Sequence, residues 1–398
     1  MSGHDLQAAQ RNLPVGYLRA FVTLLVLFHH SVLAYHSQAP RPGAALTHQP
    51  MWWTAFPIVD PKHWQGFDLM VSFNDMFFMA LMFFISGLFV HDSLTRKGAP
   101  RFLAGRIVRL GIPFAVAAAI LAPLAYYPAY LQSGAAPSLA GYWHLWMSLP
   151  FWPAGPAWFL WALLALGAVA ALLQLIARGW TTSLGHLASG ADRHPWRFFF
   201  SLFTASAVAY VALSLVYDPY RWLSYGPFVI QASRILHYAV YFIAGVAVGA
   251  AGLGKGLLAP DGRLARRWWL WLVLALPAFF LVIAIVIAAG VAKGQPVALW
   301  ESVGGIAFAL SCGISSFACI AFFARFVRRP NGVFDSLARN AYGMYLVHYG
   351  FASWAQFALL RAPLSGLQKG LIVFGVVVIL SWAATALLRR IPVIARII

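Results

Sequence analysis

The chain reads as an all-α polytopic integral membrane protein with about ten transmembrane helices and cytoplasmic N- and C-termini. Three observations predict this. The 398 residues are 62% hydrophobic and only 10% charged, with a mean hydropathy of +0.75; a soluble globular chain carries about 25% charged residues. Ten apolar runs reach the length of about 20 residues that a bilayer crossing requires. Lys and Arg gather in short clusters between alternate runs, as orientation signals do.

The runs are 15–35, 73–92, 105–130, 156–176, 198–217, 227–252, 268–290, 302–324, 338–360 and 370–389. The first is about a full span long and lacks an A-x-A cleavage site, so it reads as a retained helix rather than a signal peptide. Basic residues follow a strict alternation. Arg11 and Arg19 flank the start. Arg96, Lys97 and Arg101 lie between the second and third runs, with Arg106 and Arg109 at the start of the third. The later clusters are Arg178, Arg193 and Arg197; Lys255, Arg263, Arg266 and Arg267; Arg325, Arg328, Arg329 and Arg339; and Arg389, Arg390 and Arg396. The remaining connections hold only Arg41, Lys62, Arg221, Lys293, Arg361 and Lys369, and Arg234 lies within a span. The positive-inside rule therefore puts both ends in the cytoplasm. The expected organisation is one membrane-embedded domain over 1–398, with a core of about 13–390 and no attached soluble domain.

Two outer connections are long. Ser37 to Ser72 carries Pro40, Pro42, Pro50, Pro57 and Pro61 with Trp52, Trp53 and Trp64. Leu131 to Gly155 has no charged residue and offers Tyr142, Trp143, His144, Trp146 and Trp152. Aromatic rings among neutral polar groups suit a sugar or a neutral lipid-like acceptor better than an anion. Interfacial anchoring is the commoner role of any single Trp. The formal charge of +18 follows the loops, so it points to the bilayer as partner and not to nucleic acid. Cys312 and Cys319 share one apolar span, which excludes a disulfide framework and leaves metal binding without support. No H-E-x-x-H, G-x-S-x-G or Walker-type loop occurs.

The most informative pair is Arg19 and His30. Eleven helical steps of about 100° come within roughly 20° of three turns, so the two share a face about 16 Å apart along the axis. That puts Arg19 near one membrane surface and His30 near mid-depth, where an ionisable side chain is costly and functional by default. A neutral imidazole there can take a proton from an attacking hydroxyl. His29 points about 100° away and is expected to pack or orient. Arg106 and Arg109, three apart, share a face where the third run leaves the cytoplasm. Guanidinium groups at such a place suit a phosphate-bearing cytosolic donor, or equally anionic lipid. Arg234 and His237 also share a face. They either line the same cavity or pair with Asp218 or Glu301. His348 lies mid-span in the ninth run, and either faces His30 or packs. Ser86 and Gly87 sit in a small-residue stretch that lets helices approach closely.

Five segments in order resemble the membrane acyltransferase 3 family: Arg19 and His30 with ten residues between them, FFISGLF at 83–89, Arg106-x-x-Arg109, AWFLWALL at 157–164 and NAYGMYLVH at 340–348. The likeness covers about residues 13 to 390. Arg109-Leu-Gly-Ile-Pro113 and the bare ten-span form are most similar to the branch that decorates periplasmic glucans, often with succinyl groups. The resemblance implies transfer of an acyl group, acetyl or succinyl, from cytosolic acyl-CoA to a hydroxyl of a carbohydrate on the far side of a bacterial inner membrane. It implies His30 as catalytic base, Arg19 as its partner on the donor route, and Arg106 with Arg109 as the donor-binding pair. It implies acyl-CoA as co-substrate, with no bound cofactor. His348 matches a frequent family position; Arg234, His237 and Ser86 are candidates to line the cavity. A transporter or flippase for a glycan or lipid-linked substrate, without acyl transfer, is the rival reading.

Overall fold

The computed structural model describes residues 3–39 and 55–398, with side chains from residue 13 onward. Arg41, Pro40, Pro42, Pro50, Trp52, Trp53 and the Arg11 side chain lie outside the described residues.

Among the described residues ten long helices carry the fold. They are α1 (Gly3–Val32), α2 (Gln65–Gly87), α3 (Val90–Gln132), α5 (Trp158–Ile176), α7 (Pro195–Tyr217), α8 (Ile235–Ala251), α9 (Trp268–Val291), α10 (Val297–Phe326), α11 (Gly332–Ala358) and α12 (Gly366–Leu388). Two shorter ones, α4 (Leu139–Ser148) and α6 (Trp180–Ala188), lie between them. Among the described residues, nine helices are long and apolar enough to cross a membrane. The tenth long helix, α11, has the 27 residues needed. Its composition is more polar, because Asn340, His348, Ser353 and Gln356 point into the bundle. Within lipid every backbone group must find its partner inside the protein, and the helices satisfy that requirement.

Each expected run falls mainly on one helix, but the ends differ: α1 and α3 start well before 15 and 105, α8 starts at Ile235 rather than 227, and the second run is displaced as a whole. Its helix begins at Gln65 and ends at Gly87, earlier at both ends than the expected 73–92. Its end is set by packing. A Cβ at Gly87 would collide with the Phe242 carbonyl oxygen, and one at Gly245 with that of Phe84. Small residues thus let α2 and α8 touch backbone to backbone. The chain resumes at Val90, and α3 has a left-handed Gly98 (φ 72°) near its start.

Two π-helical turns, Ile107–Gly111 and Ala117–Leu121, interrupt α3. Such bulges often mark functional sites. Each lies just ahead of a proline, Pro113 and Pro123, though no break was anticipated within that run. A hairpin also stands where a connection and the start of the sixth run were expected: β1 (Trp222–Tyr225) pairs antiparallel with β2 (Phe228–Gln231), turning at Gly226 with φ 53°. Trp152 N–H donates to the Gly226 carbonyl at 3.0 Å. The supposed loop before Gly155 contains α4, whose Tyr142 and Trp146 are buried against Tyr126, Tyr127 and Tyr130.

α1 and α11 run side by side in the same direction. Tyr17 donates to the Asp335 carboxylate at 2.6 Å, Arg19 to the Ala338 carbonyl at 3.0 Å, and His348 meets His30 at 3.1 Å. Near the far end, Gln356 Nε2 donates to the His30 and Ser31 carbonyls at 2.8 and 3.0 Å. Those carbonyls belong to the last turn of α1 and would otherwise be orphaned.

Lys369, which the sequence placed in an outer connection, is buried. Its Nζ lies 2.6 Å from Asp60 Oδ2, with the two side chains 1% and 0% exposed. The pair ties the segment before α2 to the start of α12. Removing one partner of such a pair strands a buried charge, at a cost of about 3–5 kcal/mol. Lys369→Ala is therefore expected to lower the thermal midpoint in detergent markedly. The double variant Asp60→Leu/Lys369→Met should recover most of the loss; equal losses in both would contradict the stranded-charge account.

Candidate active site

His30 stands near the end of α1 with its ring facing α11. Its hydrogen bonds settle which nitrogen is free. His348 Nδ1 lies 2.7 Å from the Tyr345 carbonyl oxygen. A carbonyl only accepts, so this nitrogen carries a proton, and in a neutral ring His348 Nε2 is then an acceptor. His30 Nδ1 lies 3.1 Å from that Nε2 and 2.9 Å from the Val26 carbonyl. Both neighbours accept, so His30 Nδ1 must donate. The remaining nitrogen, His30 Nε2, holds a lone pair and no proton. The Val26 carbonyl and a second imidazole together fix the tautomer of the first.

His30 lines a cavity of about 420 Å³ between α1, α2, α3, α5, α8 and α11. That lies in the range of small-molecule sites, roughly 300–1,000 Å³. Its walls are aromatic, with Phe78, Tyr126, Trp158, Tyr238, Tyr345 and Tyr349 prominent. Tyr349 meets the His30 ring edge-on at 5.2 Å, and its hydroxyl lies 3.2 Å from that of Tyr126. Tyr345 OH donates to the Pro156 carbonyl and holds the start of α5 against α11. The mouth lies at the end of the bundle opposite the basic clusters, where Tyr220 (78% exposed) and Trp222 border the opening.

His29 was expected to sit apart. It lines the same cavity, stacked on Phe78 at 5.1 Å, with its buried Nδ1 lacking a hydrogen-bond partner among the described residues. The cavity is wide enough to take in side chains about 100° apart on α1.

Arg234 also lines the cavity, but its partner is neither Asp218 nor Glu301. It forms a two-pronged ion pair with Asp75 on α2, at 3.0 and 2.5 Å. Its guanidinium lies 5.0 Å over the Phe308 ring. His237 turns away, fully buried, with Nδ1 2.8 Å from the Ser206 hydroxyl and Nε2 3.6 Å from Cys312 Sγ. Three residues on a helix bring side chains to one face only to within about 60°, and here that angle separates the cavity from the packed interior. Ser86 likewise lies outside the cavity lining, beside the glycine contact with α8.

Arg19, Arg106 and Arg109 do not line the cavity either. They lie toward the basic end. Arg19 holds the Ala338 carbonyl, and the Arg109 carbonyl accepts from Tyr342 OH one turn further along α11. Arg106 lies 5.1 Å over the Phe102 ring, at the edge of the first π turn. Among the described residues no carboxylate pairs with any of the three, so their charges are open to an anion. One helix, α11, thus links the level of these arginines to His348, ten residues or about 15 Å further along the axis.

Histidine-selective ¹⁵N spectra of the detergent-solubilised protein test the tautomer. His30 is expected to show protonated Nδ1 and bare Nε2. His348→Phe should raise the share of the other tautomer by roughly fivefold, the worth of about 1 kcal/mol of hydrogen bond. A wild-type His30 protonated mainly at Nε2 would contradict the assignment.

Among curated proteins and solved structures there is no significant match to the chain. A family model described as an acyltransferase domain matches residues 15–386, nearly the whole chain. Taken with nine apolar helices of spanning length among the described residues, the match makes this a multi-pass membrane protein, and the chain belongs to the acyltransferase 3 family.

Proposed function

We propose that the protein transfers a small acyl group, acetyl or succinyl, from cytosolic acyl-CoA to a hydroxyl of a glycan on the far side of the membrane, with His30 as general base. The observation that carries this reading is the bare Nε2 of His30 in a cavity that opens away from the basic end. By the positive-inside rule the basic end faces the cytoplasm, so the mouth faces out. A bacterial inner membrane is the setting that fits.

In this scheme Arg106 and Arg109 hold the phosphates of acyl-CoA, where free guanidinium groups bind them best. The pantetheine arm runs past Arg19 along α11, and the thioester reaches His30. The acceptor hydroxyl enters from the mouth. Its oxygen attacks the thioester carbonyl carbon as His30 Nε2 takes its proton. The tetrahedral adduct collapses, the C–S bond breaks, and the CoA thiolate leaves with the proton from Nε2. The products are an ester and free CoA. During the step His30 is an imidazolium whose Nδ1–H remains bonded to His348 and Val26, so no reorientation is needed.

Acyl-CoA titration and transfer assays on purified protein test the reading. Arg106→Ala/Arg109→Ala is expected to lose binding of acetyl-CoA and succinyl-CoA. His30→Ala should retain binding while transfer falls by about 10²–10⁴-fold. If folded wild type binds no acyl-CoA, the acyl-transfer reading fails and a transporter takes its place.

A further inference from the structure

The reaction scheme makes no use of Asp75 and Arg234, the charged pair in the cavity wall. Arg234 is nearly enclosed, its side chain 10% exposed, whereas that of Asp75 is 44% exposed. Asp75 belongs to the cavity lining, so this exposed surface borders the cavity. A carboxylate offers about four lone-pair positions, and the two prongs from Arg234 occupy only part of them. The rest are open to hydroxyl donors. The pair is neutral as a unit. Among the described lining residues no other Asp, Glu, Lys or Arg is present, so an anionic or cationic ligand would find no unpaired counter-charge. Flat apolar faces lie in the same wall: Trp158 meets Trp222 edge-on at 6.4 Å and stacks on Tyr238 at 5.6 Å.

Hydroxyl acceptors, no net charge and aromatic faces together match an uncharged sugar ring. Its C–H faces pack on aromatic carbon, and its hydroxyls donate to a carboxylate in charge-assisted bonds. We propose that Asp75 and Arg234, with Trp222 at the mouth, form the subsite that holds an uncharged sugar ring of the acceptor, Asp75 accepting from its hydroxyls and Arg234 cancelling the charge. This rests on the acyl-transfer reading only for what happens to the bound sugar, and not for the binding.

The test uses three probes with one ring and different charge: methyl β-glucoside, methyl β-glucuronide and the methyl glycoside of glucosamine. Binding to the purified full chain is read by saturation-transfer NMR, and acetyl transfer from acetyl-CoA separately. The glucoside is expected to bind at least about tenfold more tightly than either charged probe, as one charge-assisted hydrogen bond is worth. Asp75→Asn and Trp222→Ala should each weaken the glucoside by about tenfold. They should raise its KM while kcat and acetyl-CoA affinity stay within about threefold, a split that general misfolding would not give. Should Asp75→Asn fail to fold, Trp222→Ala on the partly exposed hairpin decides alone. Equal or better binding of a charged probe, or wild-type glucoside affinity in the folded variants, would overturn the subsite. Sugar binding that depends on these residues without any transfer keeps the subsite and removes the acyl-transfer reading. Transfer with unchanged KM in the variants does the reverse.

Discussion

The contact between His348 and His30, 3.1 Å across two parallel helices, is the interaction on which the site depends. Together with the Val26 carbonyl it fixes a tautomer, and with it the one nitrogen that can act as a base. Its geometry requires α1 and α11 to be held in a single register. The structure supplies that register along the whole interface, from Tyr17 on Asp335 to Gln356 on the final carbonyls of α1. Each contact is a polar group satisfied inside the bundle, where an unsatisfied one would cost several kcal/mol. Slippage by one residue would break all of them together.

The same requirement explains the composition of α11. A helix that lends its polar face to the site cannot be uniformly apolar. Charge is handled in the same way. Asp75 pairs with Arg234 and Lys369 with Asp60, so the depth of the bundle holds these charges as neutral units. Arg19, Arg106 and Arg109, which pair with no carboxylate among the described residues, lie toward the basic end. The division suits a protein that meets a charged molecule on one side and a neutral one on the other.

Much of this was legible in the sequence because it is local. Apolar runs give the spans, and the spacing of Arg19 and His30 gives a shared face; α11 answers both, through Ala338 and His348. What escaped is long-range or composed of small deviations. Asp75 and Arg234 are 159 residues apart, and no local pattern selects Asp75 over Asp218 or Glu301 as the partner. Lys369 looked like a loop residue because its counter-charge lies 309 residues away. The π turns of α3 each precede a proline, Pro113 and Pro123, but a proline in a helix signals a disturbed ladder and not the form it takes. His237 and Arg234 share a face by counting, yet a cavity edge falls between them. His29 was set aside for pointing elsewhere on α1, but the cavity spans both directions.

The central claim is a transfer that begins on the basic side and ends in a cavity open on the other. Proteoliposomes of uniform orientation address it directly. Acetyl-CoA is sealed on the side of the arginine clusters and a neutral oligosaccharide supplied on the opposite side, with free and esterified sugar measured against time. The account predicts acetyl ester on the oligosaccharide across the membrane, with CoA retained in the donor compartment. Ester formed only when donor and acceptor share one compartment would contradict it.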